Sequence, residues 1–290
     1  MASVTVWSPE TTDKREIALQ AINQLPPFSP TLNRLLATLA KEDVFLSEIA
    51  AIIEKDTVLA GQVLKLVNSA LYARSGMINS VGHAVAILGL SKLRNMALTM
   101  SVTRMWRQAK TPKSWSQAAF NLHSVATAIM ADALAQRLSV WYPEGAFTAG
   151  LLHAMGKLLI AVGLPEHFEN IALQVGGSRP LEEIEQSVIG CCHAELAAAA
   201  LDQWKLPAEI QTAALYQYEC LPDRGNRMEL SRLLYVAHQM VNHLGVSIPV
   251  CQAPDPLPLD ALFASIGLAD SQQRIIEDFQ KEYNNLKAFF

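Results

Sequence analysis

Apolar residues recur at helical spacing along nearly the whole chain, and no stretch alternates apolar and polar residues for long enough to form a strand. Residues 57–67 are an example, because one side of a helix there carries Val58, Leu59, Val63, Leu66 and Val67. Hydrophobic residues make up 51% of the 290 residues and charged residues 17%, so the chain can bury a large core. The sequence therefore predicts an all-α globular protein.

Local signals indicate where helices begin and where the chain divides. Ser29, Asp56 and Ser80 are typical helix N-caps, and Gly89 separates two helices. The polar segment 111–113, with a proline at its centre, is the best candidate for a domain boundary. We predict two packed helical lobes, which occupy residues 14–110 and residues 113–290, the second with a C-terminal helical extension.

Three segments carry further expectations about the backbone. Residues 1–13 are polar and should be irregular. Residues 144–162 are predicted to form one continuous helix after a proline. Residues 249–258 contain four prolines and should form an extended connection.

Charge is distributed unevenly along the chain, although the formal net charge is only −4. Residues 57–131 contain no aspartate or glutamate and eight lysines or arginines. Such a segment is either a set of scattered solvated faces or an anion-binding surface that includes Arg94, Arg104 and Arg107. Because the whole chain is acidic, general binding to nucleic acid is not expected.

The cysteines and the apolar runs indicate the environment of the protein. No two of the four cysteines have CxxC spacing, so neither a zinc knuckle nor a disulfide scaffold is predicted. The longest fully apolar runs are far shorter than the roughly 20 residues of a membrane span. Residues 1–15 lack the apolar core of a signal peptide. We therefore expect a cytoplasmic protein with reduced thiols and no membrane span.

Three histidines in the second half lie at positions compatible with helices: His123, His153 and His193. His153 belongs to the phrase Gly-Leu-Leu-His-Ala-Met-Gly-Lys-Leu at residues 150–158, which also contains Lys157. Imidazoles can share a transition metal ion, although a single histidine is more often an ordinary core or surface side chain. No Walker-type loop, GxGxxG or GxSxG phrase is present, so those catalytic classes are not predicted.

The phrase around His153 resembles the central motif of the HD phosphohydrolase superfamily, whose His-Asp pair holds divalent metal. The resemblance implies an aspartate after that histidine and another in a late helix, but the chain has Ala154 and His238 there. Hard divalent ions favour carboxylate oxygen, so the resemblance implies an incomplete ligand set and no catalytic residues. No metal or other cofactor is expected. If a metal binds, the resemblance makes His123, His153 and His238 its ligands.

Short motifs in the first half of the chain narrow this resemblance to one branch of the superfamily. They are Leu-Pro-Pro-Phe-Ser-Pro at residues 25–30, Asn-Ser-Ala-Leu-Tyr at residues 68–72, and Ile-Asn-Ser at residues 78–80 followed by Leu-Gly at residues 88–89. In this order they resemble the HD-related output domain, HDOD, over about residues 20–220. HDOD proteins form a degenerate branch of the HD superfamily, so the resemblance implies an HD-like helical bundle in the second lobe.

Three functions remain open at this point. The resemblance implies a non-catalytic signalling or regulatory module that recognises a protein partner or a small anionic ligand. The alternative is a divalent-metal-dependent phosphohydrolase with an altered ligand set, in which Lys157 would lie near phosphate. A third hypothesis is a small-anion site near Arg94, Arg104 and Arg107. The sequence does not predict the partner or the oligomeric state.

Overall fold

Helices account for the regular structure of the protein. The computed structural model describes residues 9–25, 28–38, 44–68, 77–219, 221–223, 225–248 and 257–287. Within these ranges there is no β-strand, and one isolated bridge joins Val140 to Met228. The all-α prediction is therefore confirmed.

The first half of the chain packs around one long helix. Its described helices are α1 (Pro9–Gln20), α2 (Pro30–Ala37), α3 (Leu46–Glu54), α4 (Thr57–Val67), α5 (Val81–Leu88) and α6 (Leu90–Trp106). Helices α2 to α5 all contact α6. Residues 93–103 of α6 are buried without interruption, as is typical of a helix surrounded by neighbours on all sides.

The second half packs around α7. Its described helices are α7 (Gln117–Ala135), α8 (Ala146–Leu152), α9 (Met155–Gly163), α10 (Pro165–Gln174), α11 (Leu181–Ile189), α12 (His193–Gln203), α13 (Ala208–Leu215), α14 (Leu230–His243), α15 (Leu259–Ser265) and α16 (Gln272–Lys287). Helices α8, α14 and α16 contact α7. Residues 117–131 carry no charged side chain, so α7 can lie inside the bundle at little desolvation cost.

The first helix packs against the second half of the chain, although it comes from the segment predicted as the N-terminal lobe. Helix α1 contacts α9 and α12. The Lys14 ammonium donates to the Val188 carbonyl over 3.1 Å. The backbone of Gly163 in α9 approaches α1 so closely that a Cβ there would lie 3.1 Å from the Ile17 carbonyl oxygen. Helix α1 therefore packs mainly with helices of the second half.

The local helix signals are confirmed. The side chain of Ser29 accepts a hydrogen bond from the Leu32 amide over 3.1 Å, and the side chain of Asp56 accepts one from the Leu59 amide over 3.0 Å. Ser80 caps α5 in the same way. Gly89 has a φ of +80°, a backbone conformation that glycine adopts without steric cost, and it joins α5 to α6.

Two segments are apolar and long enough to cross a membrane by length and composition, namely Gln117–Ala135 and Pro143–Gly163. Both are mostly buried inside the bundle. They are core helices of the fold, and their apolar character follows from that burial.

The prediction of one helix over residues 144–162 is wrong, because the structure ends α8 at Leu152 and begins α9 at Met155. Within the turn, the His153 ring nitrogen Nδ1 lies 2.7 Å from the Gly150 carbonyl oxygen. This side-chain bond uses a carbonyl that a continuing helix would need. Ala154 has φ −84° and ψ 5°, so the chain changes direction there.

The ends of the chain also differ from expectation. Helix α1 begins at Pro9, earlier than the start predicted at residue 14. Residues 249–256 of the expected extended connection lie outside the described residues. The sequence analysis also misses α15, which follows directly after Pro258.

Candidate functional site

Three histidines from distant parts of the chain meet in the core. His123 lies within α7, His153 directly follows α8, and His238 lies within α14. Their candidate ligand nitrogens all lie within 4.8 Å of one another. The side chains are 1%, 0% and 2% exposed, respectively. The structure therefore brings together the three imidazoles that the resemblance implies, in a closed centre that we call the three-histidine centre.

The hydrogen bonds of two of these rings determine which nitrogen carries the proton. Nδ1 of His123 lies 2.7 Å from the Val246 carbonyl oxygen, and Nδ1 of His153 lies 2.7 Å from the Gly150 carbonyl oxygen. A carbonyl only accepts, so each Nδ1 must donate. In the neutral rings both Nε2 atoms then carry lone pairs, and these two atoms are 3.3 Å apart. Two lone pairs at this distance repel each other unless a cation or a proton lies between them.

The third ring leaves one nitrogen without a protein partner. Nε2 of His238 lies 3.2 Å from the side-chain amide of Asn242. Nδ1 of His238 is buried and has no hydrogen-bond partner. A buried polar atom without a partner costs free energy, so a group that bonded to this atom would stabilise the folded protein.

Burial keeps all three rings neutral at physiological pH. It lowers the pKa of His123 to about 3, and the nearby positive charge of Lys157 acts in the same direction. Burial also lowers the pKa values of His153 and His238 well below the usual value, each helped by the neighbouring histidines. Neutral imidazole is the form that binds metal ions.

A second layer of buried polar groups surrounds the centre. The Glu185 carboxylate accepts from the His193 backbone amide over 2.8 Å and lies 2.6 Å from Nδ1 of the same ring. The Tyr218 hydroxyl lies 2.9 Å from Nε2 of His193, and the Tyr218 ring centre is 5.2 Å from that of His238. The ammonium of Lys157 lies 5.9 Å from the centre of the Tyr218 ring. This layer connects α11 and α12 to the three-histidine centre.

Glu185 and Tyr218 are not among the site residues predicted from the sequence. Glu185 lies four residues after Leu181 and four before Ile189, on the buried side of α11. A carboxylate on the apolar side of a helix is the one signal that pointed to a buried role. No comparable pattern marks Tyr218.

The donor set at the centre differs from that of an HD hydrolase. Ala154 is fully buried and offers a methyl group. Among the described residues, the only group of histidine, cysteine or acidic side chains close enough to hold a metal is the set of three imidazoles. The buried carboxylate of Glu185 is held by His193. The centre therefore does not fit a carboxylate-bridged pair of hard ions, whereas its nitrogen donors fit one borderline ion.

The candidate anion-binding residues have different neighbours. Lys157 lies in the second layer of the centre. The guanidinium of Arg104 forms an ion pair with Asp56 at 2.8 Å. Burial alone would raise the pKa of Asp56, but the hydrogen bonds from Arg104 and Leu59 outweigh burial and lower it.

Arg94 and Arg107 lie near opposite ends of α6. Arg107 directly follows the helix. Arg94 is buried, donates to the Glu144 carbonyl oxygen over 3.4 Å, and has an Nε atom without a partner. It lines a cavity of about 480 Å³ together with Asp132 and Glu144. The small-anion hypothesis for these arginines remains a prediction.

A model of the HDOD domain matches residues 25–220, which is more than half of the chain. The chain belongs to the HDOD family. The match begins before α2 and ends after α13, so it includes His123, His153 and the second layer. His238 lies beyond its end.

Solved structures share the fold. An "HDOD domain protein with unknown function" from Geobacter sulfurreducens superposes with a TM-score of 0.76, at 20% identity over 96% of this chain and 97% of that one. A "Putative signal transduction protein" from Marinobacter aquaeolei VT8 has a TM-score of 0.74, at 22% identity over 99% of this chain and 67% of that one. A "Putative phosphohydrolase" from Shewanella amazonensis SB2B has a TM-score of 0.70, at 24% identity over 93% of this chain and 98% of that one.

A curated relative shares sequence as well. An uncharacterized protein of Treponema pallidum (strain Nichols) is 25% identical over 204 residues, which are 69% of this chain. The match covers 39% of that relative. The HDOD chain described here therefore corresponds to well under half of the longer protein.

Proposed function

We propose that this HDOD-domain protein is a non-catalytic signalling module in the cytoplasm, which acts by recognising a protein partner or a small anionic ligand through its helical surfaces. One observation carries the proposal: the three imidazoles form a closed centre and, among the described residues, no carboxylate joins their ligand set. The resemblance implies an HD active site at this position. Membership of the HDOD family supports a signalling role. The name of the Marinobacter structure, which refers to signal transduction, agrees with that role.

Burial and donor chemistry both argue against hydrolysis at this centre. A phosphoester must reach the metal and the attacking water, but the three rings are at most 2% exposed. HD-type hydrolysis also depends on carboxylates that hold hard ions, and it is those ions that favour deprotonation of bound water. Ala154 and His238 stand where the resemblance implies those carboxylates.

The alternative function is a metal-dependent phosphohydrolase with an altered ligand set. The convergence of the three histidines favours it, as does the buried ammonium of Lys157 nearby, which would attract phosphate. The name of the Shewanella structure refers to phosphohydrolase activity. This alternative requires the centre to open to solvent.

Hydrolysis assays separate the two functions. We expect the purified protein to leave p-nitrophenyl phosphate, bis-p-nitrophenyl phosphate, nucleoside triphosphates and cyclic dinucleotides intact in the presence of Mg²⁺, Mn²⁺, Zn²⁺ or Ni²⁺. The rate should equal that of a folded His153→Ala variant and that of buffer. His83→Ala, at an exposed position in α5, is the matched control. Metal-stimulated turnover that His153→Ala abolishes and His83→Ala retains would establish the hydrolase instead.

A further inference from the structure

We infer that His123, His153 and His238 form a binding site for a single late first-row transition ion, represented by Zn²⁺, which holds three parts of the bundle together. The inference differs from the HD pattern, in which carboxylates bind hard ions. It is also independent of the proposed function, since hydrolysis by the metal-loaded protein would overturn that function and leave the metal site intact.

The distance between the first two rings agrees with shared coordination. Two nitrogens bound to one tetrahedral zinc ion at about 2.0–2.1 Å lie about 3.3–3.4 Å apart. Nε2 of His123 and Nε2 of His153 are 3.3 Å apart. Both are lone-pair atoms, because the Val246 and Gly150 carbonyls hold the protons on the opposite nitrogens. An ion between them converts a repulsive contact into two bonds.

The third ligand follows from His238. A nitrogen of His238 lies within 4.8 Å of the ligand nitrogens of His123 and His153. The inferred site requires this ring to turn toward the other two. Asn242 lies beside Nε2, and turning its amide presents Oδ1 as an acceptor for an Nε2 proton. Nδ1, which has no protein partner, then carries the free lone pair. Backbone carbonyls and a side-chain amide would thus orient all three ligands, as outer groups do at metal sites.

The donor set determines which ions should bind. Three neutral nitrogens without oxygen suit Zn²⁺, Ni²⁺, Co²⁺ and Cu²⁺, whereas Mg²⁺, Ca²⁺ and Mn²⁺ favour carboxylate and water oxygen. The positive charge of Lys157, which already acts on the pKa of His123, opposes any cation in this centre. We therefore expect only the ions that bind imidazole most strongly to occupy it.

The site would connect elements that are far apart in sequence. Its ligands come from α7, from the turn between α8 and α9, and from α14. Because the unfolded chain does not present these ligands together, binding energy becomes folding energy. A bound ion is therefore expected to stabilise the bundle.

Thermal unfolding of the untagged full chain tests the inference. After treatment with EDTA and its removal, Zn²⁺, Ni²⁺ or Co²⁺ should raise the Tm by roughly 5–10 °C, and Mg²⁺, Ca²⁺ and Mn²⁺ should not. Mass spectrometry should find one ion per chain. A folded His153→Gln or His238→Gln variant should lose both effects, whereas the exposed control His83→Gln should keep them. A Tm unchanged by every ion, or effects retained in His153→Gln, would overturn the inference.

Cobalt spectroscopy on the unaltered protein covers the case in which the variants do not fold. One equivalent of Co²⁺ should give the strong visible d–d bands of a four-coordinate ion. It should give no thiolate charge-transfer band, because Cys191 and Cys192 are not ligands in this inference. Weak octahedral bands, or a thiolate band, would overturn the three-imidazole site.

Discussion

Lowering the pH from 7.5 to 5.5 should reduce the free energy of unfolding of the metal-free protein by about 4 kcal/mol. The pKa values of His123, His153 and His238 lie far below 6.5 in the folded protein because the rings are buried. Below pH 6.5 the unfolded chain binds protons at these positions and the folded chain does not. Stability is therefore present above the unfolded pKa and is lost as the pH falls below it.

Each histidine contributes about a third of this effect over the same interval. Urea unfolding at the two pH values measures it. A folded His238→Asn variant should lose about a third of the pH dependence, and His83→Gln, at an exposed position, serves as the control. Equal stability at pH 7.5 and pH 5.5 would show that the three rings are not buried as neutral groups.

Gly156→Ala should destabilise the protein by about 3 kcal/mol or more. A Cβ at residue 156 would lie 1.8 Å from the backbone carbonyl oxygen of His193. Both atoms belong to the main chain or are fixed to it, so neither can move aside as a flexible side chain would. Relief of the clash would require α9 and α12 to separate, which would also displace the second layer around the three-histidine centre.

Gly61→Ala is the matched control for this substitution. Gly61 lies within α4, and a Cβ there would meet nothing within 4 Å. Alanine should therefore stabilise the protein by about 0.5–1 kcal/mol through its better helix propensity. Urea unfolding of the two variants measures both effects. If Gly156→Ala unfolds at the same urea concentration as the unaltered protein, α9 and α12 do not pack as closely as described.

Local features of the fold could be predicted from the sequence because their causes are local. The side chains of Ser29, Asp56 and Ser80 each accept a hydrogen bond from a backbone amide three residues further on. Gly89 adopts a positive φ that depends only on the residue itself. The HDOD resemblance likewise depends on phrases within the chain, and the family match confirms it. Such features can be predicted without knowing which helices pack against each other.

The candidate site depends on contacts between distant residues. His123 is oriented by Val246, which lies 123 residues further along the chain. At the break after α8 the His153 side chain bonds the Gly150 carbonyl, and residue patterning over 144–162 cannot show this contact. The sequence could therefore name the three histidines as ligands by resemblance. The convergence of these histidines, their tautomers and the second layer could be seen only once the packing of the helices was known.

X-ray absorption at the zinc edge is the most direct test of the central claim, which is that three converging imidazoles bind one metal ion. For the zinc-loaded protein we predict three imidazole nitrogens at about 2.0–2.1 Å and one further light atom. Fewer than three imidazoles, a sulfur at about 2.3 Å, or a chain that retains no zinc would contradict it.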